Sequence, residues 1–197
     1  MAWLTREQID AMGFASVGEG ALLSDKASYY NCPNIKIGAR SRVDDFVVIG
    51  AGADGIEIGA NVHIAVFSSL LGRGRICMED FSGISSRVSI YSSSDDYSGT
   101  AMTNPTVPAE YSNVKHGAVI LRRHVIIGAG SVLLPGVTLE EGAAVGALSV
   151  VRSDCSAFTI YVGNPARRMG ERRRDLLACE QAYLAARANE SIPGAEH

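Results

Sequence analysis

The sequence predicts an all-β solenoid: a parallel β-helix interrupted by one long excursion loop and followed by a C-terminal α-helix. Three observations carry that expectation. An aliphatic residue returns about every six positions, often beside Gly, through IKIGARSRVDDFVVIG, IEIGANVHIAVFSSLLG, ICMEDFSGISSRVSIY and VILRRHVIIGAGSVLLPGVTLEEGAAVGALSVV. Between Ile90 and Val119 the repeat stops, and YSSSDDYSGTAMTNPTVPAEYSNVKHGA is polar, turn-rich and contains two prolines. After Val151 it is lost again, and ERRRDLLACEQAYLAARANE takes over with apolar residues at helical spacing.

A period of six fits neither a 3.6-residue helix nor a long alternating strand. Short β-branched runs favour strands, and the Gly, Asn and Asp between them favour tight corners with positive φ. Three such faces close one coil of about 18 residues, the spacing of Leu121 to Leu139 and of Ile127 to Val145. Stacked coils place their aliphatic residues in one continuous interior, here expected at Val119, Leu121, Val125, Ile127, Val132, Val137, Leu139, Val145 and Val150.

At the N-terminus, Thr5 with Gln8 three residues later has the form of a capping box opening a short helix. The expected organisation is a cap over residues 1–34 and a β-helix domain over 35–165, with the excursion at about 91–117. A C-terminal helix and tail follow over 166–197. An excursion of that length without structure of its own is usually functional.

With 197 residues, 47% hydrophobic and 20% charged, the chain has the composition of one ordinary globular domain. A net charge of −3 gives no reason to expect nucleic acid as a partner. No signal-peptide pattern opens the chain, and no apolar run of 18 residues suggests membrane insertion, so a cytoplasmic location is expected. Cys32, Cys77, Cys155 and Cys179 show neither paired nor metal-ligand spacing and read as reduced thiols, with Cys77 and Cys155 in the core. Arg172, Arg173 and Arg174 form either a solvated helix start or, with Arg167 and Arg168, a contact for a phosphorylated small ligand.

The repeat, together with IIGAGSVLLPGVTL, VGALSVVRSD and YVGNPARRM, resembles the hexapeptide-repeat acetyltransferases, of which the galactoside and maltose O-acetyltransferases are well-known members. That resemblance covers roughly residues 35–170. It implies a left-handed parallel β-helix, a homotrimer with sites between neighbouring copies, and acetyl-CoA as co-substrate with no metal. Carried across residue by residue, the family's CoA contacts fall on Ala129, Ala147, Arg152, Ser153 and Arg167. Arg167 suits a phosphate because a guanidinium can grip it bidentately. The two alanines either let the donor approach the backbone or merely pack a corner.

The family's general base is a His at the start of the long loop, and here the matching residue is Asp95. A family Asn one coil earlier, facing the acceptor, is matched by His63. The resemblance therefore implies exchanged roles, with His63 as base and Asp95 or Asp96 beside it. An imidazole suits proton removal near neutral pH, and a carboxylate on its other nitrogen would fix the tautomer. His63 lies between Val62 and Ile64, so alternation points it outward. His116, at the end of the excursion, is the competing base, while His124 has a solvated corner position. The Asp95–Asp96 pair reads equally as an acidic loop tip or as a seat for a cationic amine.

The expected activity is transfer of an acetyl group from acetyl-CoA to a hydroxyl or amine of a sugar or nucleotide-sugar, by direct attack and without an acyl-enzyme. Such chemistry would serve polysaccharide biosynthesis. The alternative is a non-catalytic β-helix used as a binding or assembly scaffold.

Overall fold

A computed structural model of the chain describes residues 2–190. The expected tail and His197 lie outside the described residues. Three parallel sheets form the sides of a prism. The first runs from Ser16–Val17 to Thr138–Leu139, and the third from Ser28–Tyr30 to Val150–Val151. The second runs from Leu22–Leu23 through His63–Ile64, Gly83–Ile84, Ile126–Ile127 and Ala144–Val145 to Thr159–Val162. An antiparallel strand, Arg167–Glu171, closes its upper edge.

The interior holds the aliphatic ladder that the period requires. Leu121, Ile127, Leu133, Leu139, Val145 and Val151 recur at six-residue intervals and are all buried. Val132 and Val150, expected inside, face outward on the third sheet; Leu133 and Val151 take the inward positions instead. Both sites offer adjacent aliphatic residues, so hydrophobicity alone left the phase of the alternation undetermined. Buried serines hold the corners: Ser131 Oγ donates to the Gly146 carbonyl, and the Ser149 N–H donates back to Ser131 Oγ.

The coils begin at Ser16, so residues 16–34, expected within the cap, form the first of them. That coil keeps the geometry with other residue types. Tyr29 lies in register with buried Ile49, at a place where later coils carry an aliphatic residue. Helix α1 (Arg6–Ala11) opens with the expected Thr5–Gln8 capping box and lays Ile9 over the lower end of the interior.

The excursion leaves the third sheet after Tyr91 and re-enters the first at Val119. Its stem is an antiparallel pair of two-residue strands, Ser93–Ser94 against Lys115–His116. The coils on either side stack directly on each other: Ile76 pairs with Val119, Ile84 with Ile127, and Ile90 with Leu133.

The corner between the first and second sheets is a column of left-handed residues: Gly20, Arg40, Asn61, Phe81, His124, Gly142 and Phe158, with φ between 48° and 69°. Helix α2 (Leu176–Glu190) runs back along it. Tyr183 Oη donates to Asn61 Oδ1 at 3.1 Å and packs edge-on against Phe81. Glu180 accepts from Arg123 and lies 2.7 Å from His124 Nε2. His124 is therefore buried and clamped rather than solvated. Cys155 is buried as expected, whereas Cys77 points outward between Ile76 and Met78.

Candidate functional site

His63 stands on the outer face of the second sheet because the residues on either side of it, Val62 and Ile64, are buried. Its side chain is half exposed, and its Nε2 lies 2.9 Å from Asp44 Oδ2. Asp44 comes from the coil below, is buried, and accepts a 2.6 Å hydrogen bond from Arg42 Nε through its other oxygen. Held between a guanidinium and an imidazole, its carboxylate accepts at both oxygens. The Nε2–H tautomer of His63 satisfies Asp44 and leaves the Nδ1 lone pair for a reacting proton.

Within one chain the carboxylate that meets His63 is Asp44, and neither Asp95 nor Asp96 of the same chain reaches it. Asp96 is committed inside the excursion, where it accepts from the Ser98 N–H at 2.9 Å and from Thr100 Oγ1 at 2.6 Å. The Ser98 hydroxyl, then that of Thr100 and the Ser98 N–H, hold its carboxyl well below the usual carboxylate range. Asp95 lines a separate groove of about 490 Å³ with Ser93, Ser94, Asn104 and Pro105. No hydrogen bond joins its side chain to another described residue. His116 sits on the excursion stem, where its Nδ1 lies 2.8 Å from Ser93 Oγ.

His63 opens into a groove of about 480 Å³ along the second sheet. Its floor is Gly83 and Ile84; Asn61, Ser85 and Ser86 supply polar groups, and Ile126 an apolar edge. Phe81, His124, Arg172 and Leu176 form the wall towards α2. Arg172 Nη1 donates to the carbonyls of His124 (2.7 Å) and Gly142 (3.0 Å), which ties the start of the C-terminal segment to the corner. Burial disfavours its charge, and no carboxylate of a described residue lies within ion-pair distance. This groove brings His63 together with Ser85 and Arg172, which the sequence reading had not placed beside it.

The five expected donor contacts lie higher in the prism. Ala129 and Ala147 are exposed one coil apart, joined by the Leu148 N–H to the Ala129 carbonyl at 2.9 Å. There a Cβ on Gly128 would meet the Ala147 backbone at 2.4 Å, so small residues keep the coils in contact. Arg152 and Ser153 follow the last strand of the third sheet, and Arg167 opens the antiparallel edge strand; all three are exposed. Among the described residues no group of three or more His, Cys, Asp or Glu side chains could hold a metal ion. No described helix is long and apolar enough to cross a membrane.

No family model matches the chain. Over 192 residues it is 52% identical to a dTDP-4-amino-4,6-dideoxy-D-glucose acyltransferase of Escherichia coli, an alignment spanning 98% of this chain and 100% of that protein. Among solved structures, AntD, an N-acyltransferase from Bacillus cereus in complex with dTDP and 3-hydroxybutyryl-CoA, is 43% identical with a TM-score of 0.91, over 94% of this chain and 98% of that one. AntD has also been solved with a serine replaced, bound to dTDP-4-amino-4,6-dideoxyglucose and coenzyme A, and with an aspartate ten residues further on replaced. A maltose O-acetyltransferase from Clostridium difficile shares the fold alone, at 22% identity and a TM-score of 0.59 over 86% of this chain and 75% of that one.

Proposed function

The chain belongs to the hexapeptide-repeat acyltransferases, and from that premise we propose that it acylates the amine of a dTDP-4-amino-4,6-dideoxy sugar, with acetyl-CoA or another short acyl-CoA as donor. The observation that carries this reading is His63, open to a groove and held from behind by buried Asp44. The relative's acceptor and the ligands bound to AntD support the choice of substrate class.

In the proposed reaction the amine nitrogen attacks the thioester carbonyl carbon, forming a C–N bond as the C–S bond breaks. The nitrogen's proton passes to His63 Nδ1, and the imidazolium is stabilised by Asp44. The departing CoA thiolate takes up a proton in turn. No acyl-enzyme is needed.

Within one chain Asp95 lies on the excursion, in a groove separate from the one His63 opens into. In the proposed homotrimer, Asp95 of one copy faces the His63 groove of its neighbour and holds the acceptor amine. Ser85 lines that groove and Asp95 stands ten residues after it, the spacing of the two positions replaced in AntD. The donor would lie along Ala129, Ala147, Arg152, Ser153 and Arg167. Four cysteines without a disulfide fit the cytoplasm, and modified nucleotide sugars of this class fit polysaccharide biosynthesis.

The test is direct: purified protein is incubated with acetyl-CoA and dTDP-4-amino-4,6-dideoxyglucose, and thiol release is followed with mass spectrometry of the product. Stoichiometric thiol and an N-acylated sugar nucleotide support the reading. An absence of transfer with acetyl-CoA and with 3-hydroxybutyryl-CoA overturns it.

A further inference from the structure

We infer that Gly83 sets acceptor specificity, because its missing side chain opens the groove floor beside His63 to the pyranose ring of the nucleotide sugar. This rests on the acceptor proposed above.

Along the parallel strands of the second sheet the outward positions are Leu22, Arg42, His63, Gly83, Ile126, Ala144 and Ile160, joined rung by rung. Neighbouring strands lie about 4.8 Å apart, so His63 and Ile126 flank a gap of roughly 10 Å with only backbone between them. That gap is the floor of the groove.

Neither sterics nor conformation explains a glycine there. At Gly38, Gly52 and Gly128 a Cβ would come within 2.3–2.4 Å of the adjoining coil's backbone, so glycine is obligatory. At Gly83 the nearest atom to a Cβ is the His63 carbonyl oxygen at 3.6 Å, an ordinary contact, and φ is not in the left-handed region. Glycine inside a strand weakens it and commonly marks close approach by a ligand.

The occupant follows from what His63 must reach. Its Nδ1 has to meet the amine nitrogen, so the adjacent rung holds what that nitrogen is bonded to, the sugar ring. A ring lying flat on the Gly83 backbone has Ser85 and Asn61 beside it for its hydroxyl groups and Ile126 against an apolar edge. The acyl group arrives from the other side, since the expected donor contacts Ala129 and Ala147 lie at the corner between the second and third sheets.

The experiment compares wild type, Gly83→Ala and Gly83→Val in steady-state kinetics with dTDP-4-amino-4,6-dideoxyglucose and acetyl-CoA, and measures the melting temperature of each. A single misplaced methylene changes discrimination by roughly 10- to 200-fold. The expected result is an acceptor kcat/KM lowered about 10-fold by Ala and on the order of 100-fold by Val. The acetyl-CoA KM should stay within about twofold and the melting temperature should not fall. A Val variant with unchanged acceptor kinetics, or one whose loss falls on acetyl-CoA, overturns the inference while leaving the acyltransferase reading intact. A wild-type protein that fails to acylate the sugar nucleotide overturns both.

Discussion

His63 Nε2 and Asp44 Oδ2 lie 2.9 Å apart across one step of the coil, an exposed imidazole backed by a buried carboxylate. The pair separates two functions that neighbouring side chains rarely combine: reach into the groove and a fixed tautomer. His63→Ala should keep the fold and lower kcat on the order of 10²- to 10⁴-fold. Asp44→Asn should lose part of that, because an amide can turn its oxygen to the Nε2–H but carries no charge to stabilise the imidazolium. Single-turnover rates at saturating substrate, beside the same measurement on His116→Ala, check both. Full activity in His63→Ala with loss in His116→Ala would move the base to the excursion stem.

The phase of the interior ladder is testable by stability alone. Leu133 is fully buried and Val132 faces outward. Truncating Leu133 to Ala should cost about 2–5 kcal/mol, as cavity-forming changes do, while Val132→Ala should cost about 1 kcal/mol or less. Urea denaturation of the two variants decides it, and equal losses would contradict the observed register.

Glu180 holds α2 against the corner through Arg123 and His124. Glu180→Ala should weaken that attachment by about 1.5–3 kcal/mol, the range for hydrogen bonds to charged groups. Hydrogen exchange should then rise in residues 176–184 while the coils remain protected. Because Leu176 and Arg172 wall the groove, acceptor KM should rise as well.

The excursion should loosen in acid. The Asp96 carboxyl is held below its ordinary value of 3.8, mainly by Ser98 and then Thr100. The folded loop therefore binds that proton less readily than the unfolded chain, and its stabilisation is complete above pH 3.8 and lost as pH falls below it. Limited proteolysis with pepsin should cut residues 95–111 increasingly below that pH. Asp96→Asn should be cut at the higher pH values where wild type resists.

Much of the architecture was legible because a coil repeats its own chemistry: the six-residue period, the break at Ile90 and the helical spacing after Arg174 each declare an element locally. The first coil was not, since Tyr29 stands where the repeat leads one to expect an aliphatic residue. At the site, His63 could be found by alternation, whereas Asp44 needed the third dimension. It precedes His63 by 19 residues, two short of the 21 that make one turn of the prism there, and only stacking makes them neighbours. The fate of Asp96 was readable in principle, because Ser98 and Thr100 follow it at the spacing of local side-chain turns. Nothing local announces that His124 meets Glu180, 56 residues away, because that contact exists only once the final helix folds back.

The excursion hangs from a stem of two-residue strands, and the coils below and above it join as though no residues intervened. The column and the appendage can consequently change independently. Lengthening, shortening or exchanging residues 95–114 changes the groove that holds Asp95 without shifting any rung of the prism. A lineage built on this plan can therefore vary one insertion while the coils that pair His63 with Asp44 are inherited unchanged.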